Sequence, residues 1–303
     1  MSAMPSDHED RMNRVRICFA GLSVGDAFGD TFFTDEAIIE ERVAERRVAA
    51  PPWFYSDDSA MARNVARSLD LFGRIDRDWL AESFANTYQC DPRRGYGGTA
   101  QQILRSISGG EHWSVAAKKV FGGIGSCGNG GAMRSAPVGA YFSDNIPALV
   151  ENARASAEVT HAHPEGQSGA IAIALAAAWM VRARPVVNQP SPDLIRFVLE
   201  HLPDGETAGR TRKALSFPFE CSPSTPARTL GAGYQLTAQD TVPFCLWCAA
   251  RHPASFTDAL WATVRGGGDC DTTCAIVGGI VVLGAGLEGI PADWMSARED
   301  IAI

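Results

Sequence analysis

Apolar residues in this chain recur every three or four positions, and that periodicity restricts the fold more than any other feature of the sequence. Met61, Val65, Leu69 and Phe72 follow steps of four, four and three. Leu80, Phe84 and Tyr88 repeat at four, and Ile103, Leu104 and Ile107 make a third stripe. Segments 166–182 and 271–287 are rich in Ala, Gly and Ile, which suits helices packed closely together. No clear run alternates with period two, and no Asn-Gly turn joins two β-rich runs. Strands make up about 20–25% of an ordinary globular protein, so their absence predicts an all-α fold. Pro and Gly punctuate the chain at 51–52, 95–98, 108–110, 122–131, 185–192, 203–205 and 222–226, with no long flexible linker and no solenoid-length repeat. The expectation is a single compact multi-helix domain, 1–303, with its core between about 14 and 290. Roughly a dozen helices would fill it.

Composition removes several classes of function. Hydrophobic residues are 46% and charged residues 20% of the chain, which excludes disorder and coiled coil. A net charge of −8 repels nucleic acid and anionic lipid, so no long nucleic acid is expected as a partner. The longest apolar runs, 169–181 and 274–287, fall short of the ~20 residues that cross a bilayer, so no membrane partner is expected either. Met1 to Arg16 lack the apolar stretch of a secretory signal, which points to the cytoplasm. The eight cysteines are therefore expected as thiols. Cys245 and Cys248 form a CxxC, but they have no second Cys or His pair nearby and sit among core-like Val242, Phe244, Leu246 and Trp247, so zinc is not expected there.

Chemistry is concentrated where acids or glycines precede an apolar helix. Ser56-Asp57-Asp58-Ser59 starts the stripe that contains Met61 and Val65. Such a run can cap a helix and complement its dipole, or it can offer hard oxygen ligands to a cation. Gly266-Gly-Gly-Asp269-Cys-Asp271-Thr272-Thr273 precedes the apolar run from Cys274. Its glycines permit backbone conformations closed to other residues, and it again supplies two carboxylates and a hydroxyl. Four such carboxylates brought together would repel one another. A pair of divalent ions ~3.5–4 Å apart would neutralise them, which favours one binuclear site over two unrelated caps. The oxygen donors disfavour zinc. A third run, Gly122 to Arg134, holds glycines that can present backbone N–H groups to a phosphate, without the Gly-Lys-Ser/Thr ending of a Walker loop. His161, in Thr160-His-Ala-His163, is placed to hydrogen-bond a ligand or to cap the helix that follows.

Taken in order, these segments resemble the ADP-ribosylglycohydrolase family from about Arg16 to Leu287. Gly21-Leu-Ser-Val-Gly25-Asp26-Ala-Phe-Gly29-Asp30 is similar to the family's first helix, and Ser56-Asp57-Asp58-Ser59 to its Thr-Asp-Asp-Thr. Gly128-Asn129-Gly130-Gly131-Ala132-Met133-Arg134 resembles its Gly-Asn-Gly-x-x-Met-Arg, and Gly268-Asp269-Cys-Asp271-Thr272 its Gly-Asp-x-Asp-Thr. The resemblance implies an all-α fold with two Mg²⁺ or Mn²⁺ ions at the base of a cleft. Ser56, Asp57, Asp58, Asp269, Asp271 and Thr272 would then be metal ligands. Gly128, Asn129, Gly130, Gly131, Met133, Arg134 and His161 would line an ADP-ribose groove. Asp26 would stand behind the ligands or fix the first helix. Two positions depart from the family pattern. Ser56 replaces a Thr but keeps the hydroxyl. After Gly29, where many members carry a Glu, this chain reads Phe32 and Phe33, and the next acids are Asp35 and Glu36.

The activity so implied is metal-dependent hydrolysis of an ADP-ribosyl N- or O-glycosidic bond, on a modified protein or a small ADP-ribosyl compound. Cleavage develops positive charge at the anomeric carbon, which carboxylates stabilise. Asp58 or Asp271 is the expected base, with Asp35 and Glu36 as the other candidates. Phe33, Tyr96 and Tyr234 are candidates to stack on adenine. Two alternatives accompany this reading: an ADP-ribose-binding protein with weak or no catalysis, and an immunity-type protein that blocks a partner by occlusion. Oligomeric state leaves no trace in the sequence.

Overall fold

Helix boundaries follow the capping chemistry read above. In the computed structural model, which describes residues 4–303, Ser56 Oγ accepts from the Asp58 N–H and opens the helix Asp57–Phe72, which Gly73 ends with φ 64°. Asp76 accepts from the Trp79 N–H and opens Arg77–Cys90. The stripes point inward: Met61, Val65, Leu69, Leu80 and Phe84 are all buried. The third stripe lies on Gly98–Ser108.

Two apolar helices form the centre. Pro164–Ala183 is buried along most of its length by small and branched residues. Cys270–Ala285 packs along the first helix, His8–Asp30, at near backbone-to-backbone distance. A Cβ on Gly25 would lie 2.2 Å from the Cys274 carbonyl oxygen, and one on Gly29 would lie 2.2 Å from that of Cys270. Only glycine permits this approach, and it joins two segments from opposite ends of the chain.

The far end of the first helix is fastened by aromatic rings. Phe28 stacks on Trp294 at 4.5 Å, and Phe32, Trp53 and Trp261 pack around them. Backbone bonds from the Trp53 N–H to Ala297 O and from the Glu299 N–H to Trp53 O tie the final segment to the same place. Met12, Trp294 and Ile301 are buried, so the core reaches beyond 14–290 at both ends.

The chain is 67% helical, and among the described residues there is no strand beyond two isolated bridges. Seventeen α-helices are described rather than a dozen, because turns inside the Gly-rich and Pro-rich stretches wind into short ones such as Gly130–Met133 and Ala136–Tyr141. No helix among the described residues is long and apolar enough to cross a membrane.

Candidate active site

The two acidic runs start two helices whose first turns meet. Thr272 Oγ1 lies 3.2 Å from both carboxylate oxygens of Asp58, 214 positions away in sequence, and Ser56 Oγ donates to Asp58 at 2.8 Å. One carboxylate oxygen from each of Asp26, Asp58 and Asp271 lies within 4.8 Å of the others. Asp26 is fully buried and also accepts from the N–H groups of Ser56 and Ser59 and from Ser59 Oγ. It therefore belongs to the carboxylate group itself and also holds the start of the Asp57–Phe72 helix. The expectation from sequence was only that Asp26 stands behind the ligands or fixes the first helix.

Asp271 of this trio, together with Asp57, Asp269 and Thr272, lines a cavity of about 520 Å³. The charges of the site are poorly compensated. Burial raises Asp26 to about 6, against the pull of its Ser59 and Ser56 hydrogen bonds. Burial, then the neighbouring Asp26 charge, raises Asp57 to about 7. Asp58 and Asp271 stand well above the usual carboxylate range, through burial first and then through the charges of Asp271 and Asp269 respectively. The nearby cation is Arg134, itself fully buried and lowered to about 9 by burial while Asp57 pulls it upward.

Oxygen donors converging in a buried, negatively charged site fit a hard divalent cation. Ser56 and Thr272 both direct their hydroxyls at Asp58, and each keeps a lone pair for such an ion, although Ser56 Oγ also accepts from the Asp58 N–H. The trio is the group among the described residues whose ligand atoms converge. Cys245 and Cys248 are wholly buried in the helix Ala238–Arg251 and belong to no such group.

The glycine run forms the opposite wall. Gly128 and Asn129 engage their amide protons with Ser126 Oγ and the Leu236 carbonyl. Asn129 directs its side-chain amide at Asp269 Oδ2, 2.7 Å away, so this residue orients a carboxylate as well as lining the cavity. Gly130, Met133, Arg134 and His161 line the same space. Arg134 donates to the Gly130 and Ser156 carbonyls and to Thr160 Oγ1, so it braces the wall from behind. His161 hydrogen-bonds Thr160 through Nδ1, and burial beside Arg134 lowers it to about 3. It is neutral at physiological pH and offers Nε2 as a hydrogen-bonding atom, not as an acid. The helix that follows is capped by His163, not by His161.

Other expected residues lie elsewhere. Asp35 and Glu36 sit at the exposed start of the helix Glu36–Glu45 and do not line the cavity. Phe33 is 56% exposed and also lies outside it, while Tyr96 is buried and faces a second cavity. The sequence reading missed the apolar rim, Phe121, Ile124 and Leu236, which two segments bring to the mouth. It also missed residues 95–100, where a glycine turn runs into the start of the helix Gly98–Ser108.

A family model described as ADP-ribosylglycohydrolase matches residues 7–302. Human ADP-ribosylhydrolase ARH3 is 26% identical over 95% of this chain and 90% of its own length. The Danio rerio protein of that name is 29% identical over 96% and 87%. The ADP-ribosyl-[dinitrogen reductase] glycohydrolase of Rhodospirillum rubrum is 26% identical over 96% and 91%. Among solved structures, an ADP-ribosylglycohydrolase-related protein complex superposes with a TM-score of 0.69 at 25% identity, covering 96% of this chain and 94% of that one.

Proposed function

Since the chain belongs to the ADP-ribosylglycohydrolase family and is thereby a hydrolase of ADP-ribosyl glycosidic bonds, we propose that it is metal-dependent and frees ADP-ribose from an N- or O-linked acceptor, a modified protein or a small molecule. The observation that carries this is the meeting of Asp26, Asp58 and Asp271 beside a cavity walled by the Gly128–Arg134 turn.

Two Mg²⁺ or Mn²⁺ ions would be held by Ser56, Asp57, Asp58, Asp269, Asp271 and Thr272, with Asp26 closing the site from below. They would supply a Lewis acid that grips sugar hydroxyls and acidifies water. The remaining work falls to the chain. The Gly130 amide faces the pyrophosphate, since Gly128 and Asn129 are already engaged and Gly131, expected on this wall, is buried against Ala157 and Gly166 and does not line the cavity. Neutral His161 hydrogen-bonds the ligand through Nε2. Met133 and the rim of Phe121, Ile124 and Leu236 cover the apolar face of the nucleoside and exclude water. Asp58 or Asp271 receives the proton of the attacking water, and the carboxylate group stabilises the positive charge at the anomeric carbon. A cytoplasmic site of action belongs to this proposal and is supported by eight unpaired cysteines.

The test is release of free ADP-ribose from arginine-, serine- and small-molecule-linked substrates, with Mg²⁺, with Mn²⁺ and with chelator. Release with metal and none with chelator is the expected result; equal release in both would sink the metal assignment. A second reading, a chain that holds ADP-ribose and turns it over slowly, draws on the exposed position of Asp35 and Glu36. Tight ADP-ribose binding with negligible release on every linkage would favour it.

A further inference from the structure

A second cavity, of about 500 Å³, lies between the helices Asp57–Phe72 and Arg77–Cys90, on the other side of the wall that bounds the aspartate cleft. Tyr55 and Tyr96 line it, while their neighbours Asp57, Gly95 and Gly97 line the cleft. Its charged lining is Arg63, Arg67, Arg94, Glu82 and Asp91. Arg94 is committed: it pairs with Asp91 and Glu299, donates to the Tyr55 carbonyl, and lies over the Tyr55 ring at 3.8 Å. Arg63 and Arg67 make no ion pair or hydrogen bond among the described residues, although the chain carries eight more acidic than basic charges. Arg63 Nε is buried without a partner. The hydroxyl of Tyr96, a residue only 4% exposed, is likewise unpartnered.

Buried donors left unmade cost stability, and such groups in a folded protein call for an explanation. Here the unmade donors are Arg63 Nε and the Tyr96 hydroxyl, the exposed and unpaired Arg67 lies one helical turn from Arg63 on the same lining, and the acids beside them are Glu82 and the Asp91 already paired with Arg94. Guanidinium donors match the oxygens of a phosphoryl group in geometry and charge. We propose that this cavity is a binding site for a phosphoryl-bearing small anion, held by Arg63, Arg67 and the Tyr96 hydroxyl and separate from the aspartate cleft. Trp79 in the lining offers a ring face to a base if the anion is a nucleotide. Because Tyr96 sits on the turn whose glycines line the cleft, occupancy here reaches the cleft wall directly.

Calorimetric titration of the full chain with inorganic phosphate and with AMP tests this, each with and without saturating ADP-ribose. Failure of ADP-ribose to bind would count against the reading of the cleft and leave the comparison of variants intact. Binding should persist with ADP-ribose present. It should weaken about tenfold in Arg63→Gln and in Arg67→Gln, and several-fold in Tyr96→Phe. Arg67 is exposed, so that variant stays folded even if the others do not. AMP binding more tightly than phosphate identifies a nucleotide, and equal affinity identifies phosphate itself. Affinities unchanged across the three variants, or no binding of either probe, would overturn the proposal.

Discussion

Asp271 sits where the two acidic runs touch and also lines the cleft, so it bears on both ion binding and chemistry. Asp271→Ala is expected to abolish ADP-ribose release and, in the same protein, the thermal stabilisation given by Mg²⁺. Retention of either activity would separate the two roles assigned to it. Asn129 acts through Asp269, and removing such an orienting partner commonly lowers metal affinity about 10–100-fold. Asn129→Ala should therefore need more Mg²⁺ for half-maximal turnover, with recovery at high concentration. If added ion restores nothing, Asn129 holds substrate instead. Asp35→Ala and Glu36→Ala should keep the Mg²⁺ stabilisation, because both residues are exposed and outside the cleft. A loss of turnover of about a hundredfold in either would identify the base as that residue.

Helices deliver these side chains through the seam between the first helix and Cys270–Ala285. Gly25 and Gly29 set its spacing, and Asp26 projects from the same stretch toward Asp58 and Asp271. A methyl group at position 25 has a backbone carbonyl in its way, so the helices must separate. Gly25→Ala should cost about 1–3 kcal/mol in urea unfolding. It should also weaken Mg²⁺ stabilisation, because separation moves Asp26 away from Asp271. Normal ion binding in a destabilised variant would show that the seam supports the fold without positioning the site.

At the scale of the whole molecule, the carboxylate group is a stored destabilisation that a cation relieves. Asp26 at about 6 and Asp57 at about 7 lie above the ordinary 3.8, so between those values the folded chain binds more protons than the unfolded one. Stability then falls as pH rises. Metal-free protein should accordingly show a falling thermal midpoint from about pH 4 to about pH 7, read by calorimetry in chelator. Mg²⁺ should raise the midpoint, more so at the upper end of that range. A midpoint that climbs with pH in chelator would contradict the crowding of these aspartates.

The helical class, the apolar stripes and the two acidic runs were legible in sequence because each depends on neighbours within a few positions: periodicity, caps and local charge density. The same holds for the Gly128–Arg134 turn. Asp26 was harder to read, since one carboxylate within an apolar helix carries no local sign that it faces Asp58 and Asp271. Asn129 on Asp269, the rim of Phe121, Ile124 and Leu236, and the cavity of Arg63 and Tyr96 depend on segments far apart in the chain. Helix packing brings them together, and the approach distance at Gly25 and Gly29 controls that packing. Local residue order determined what the helices are and where acids would begin them, whereas only their packing decided which acids share a site and which donors are left without partners.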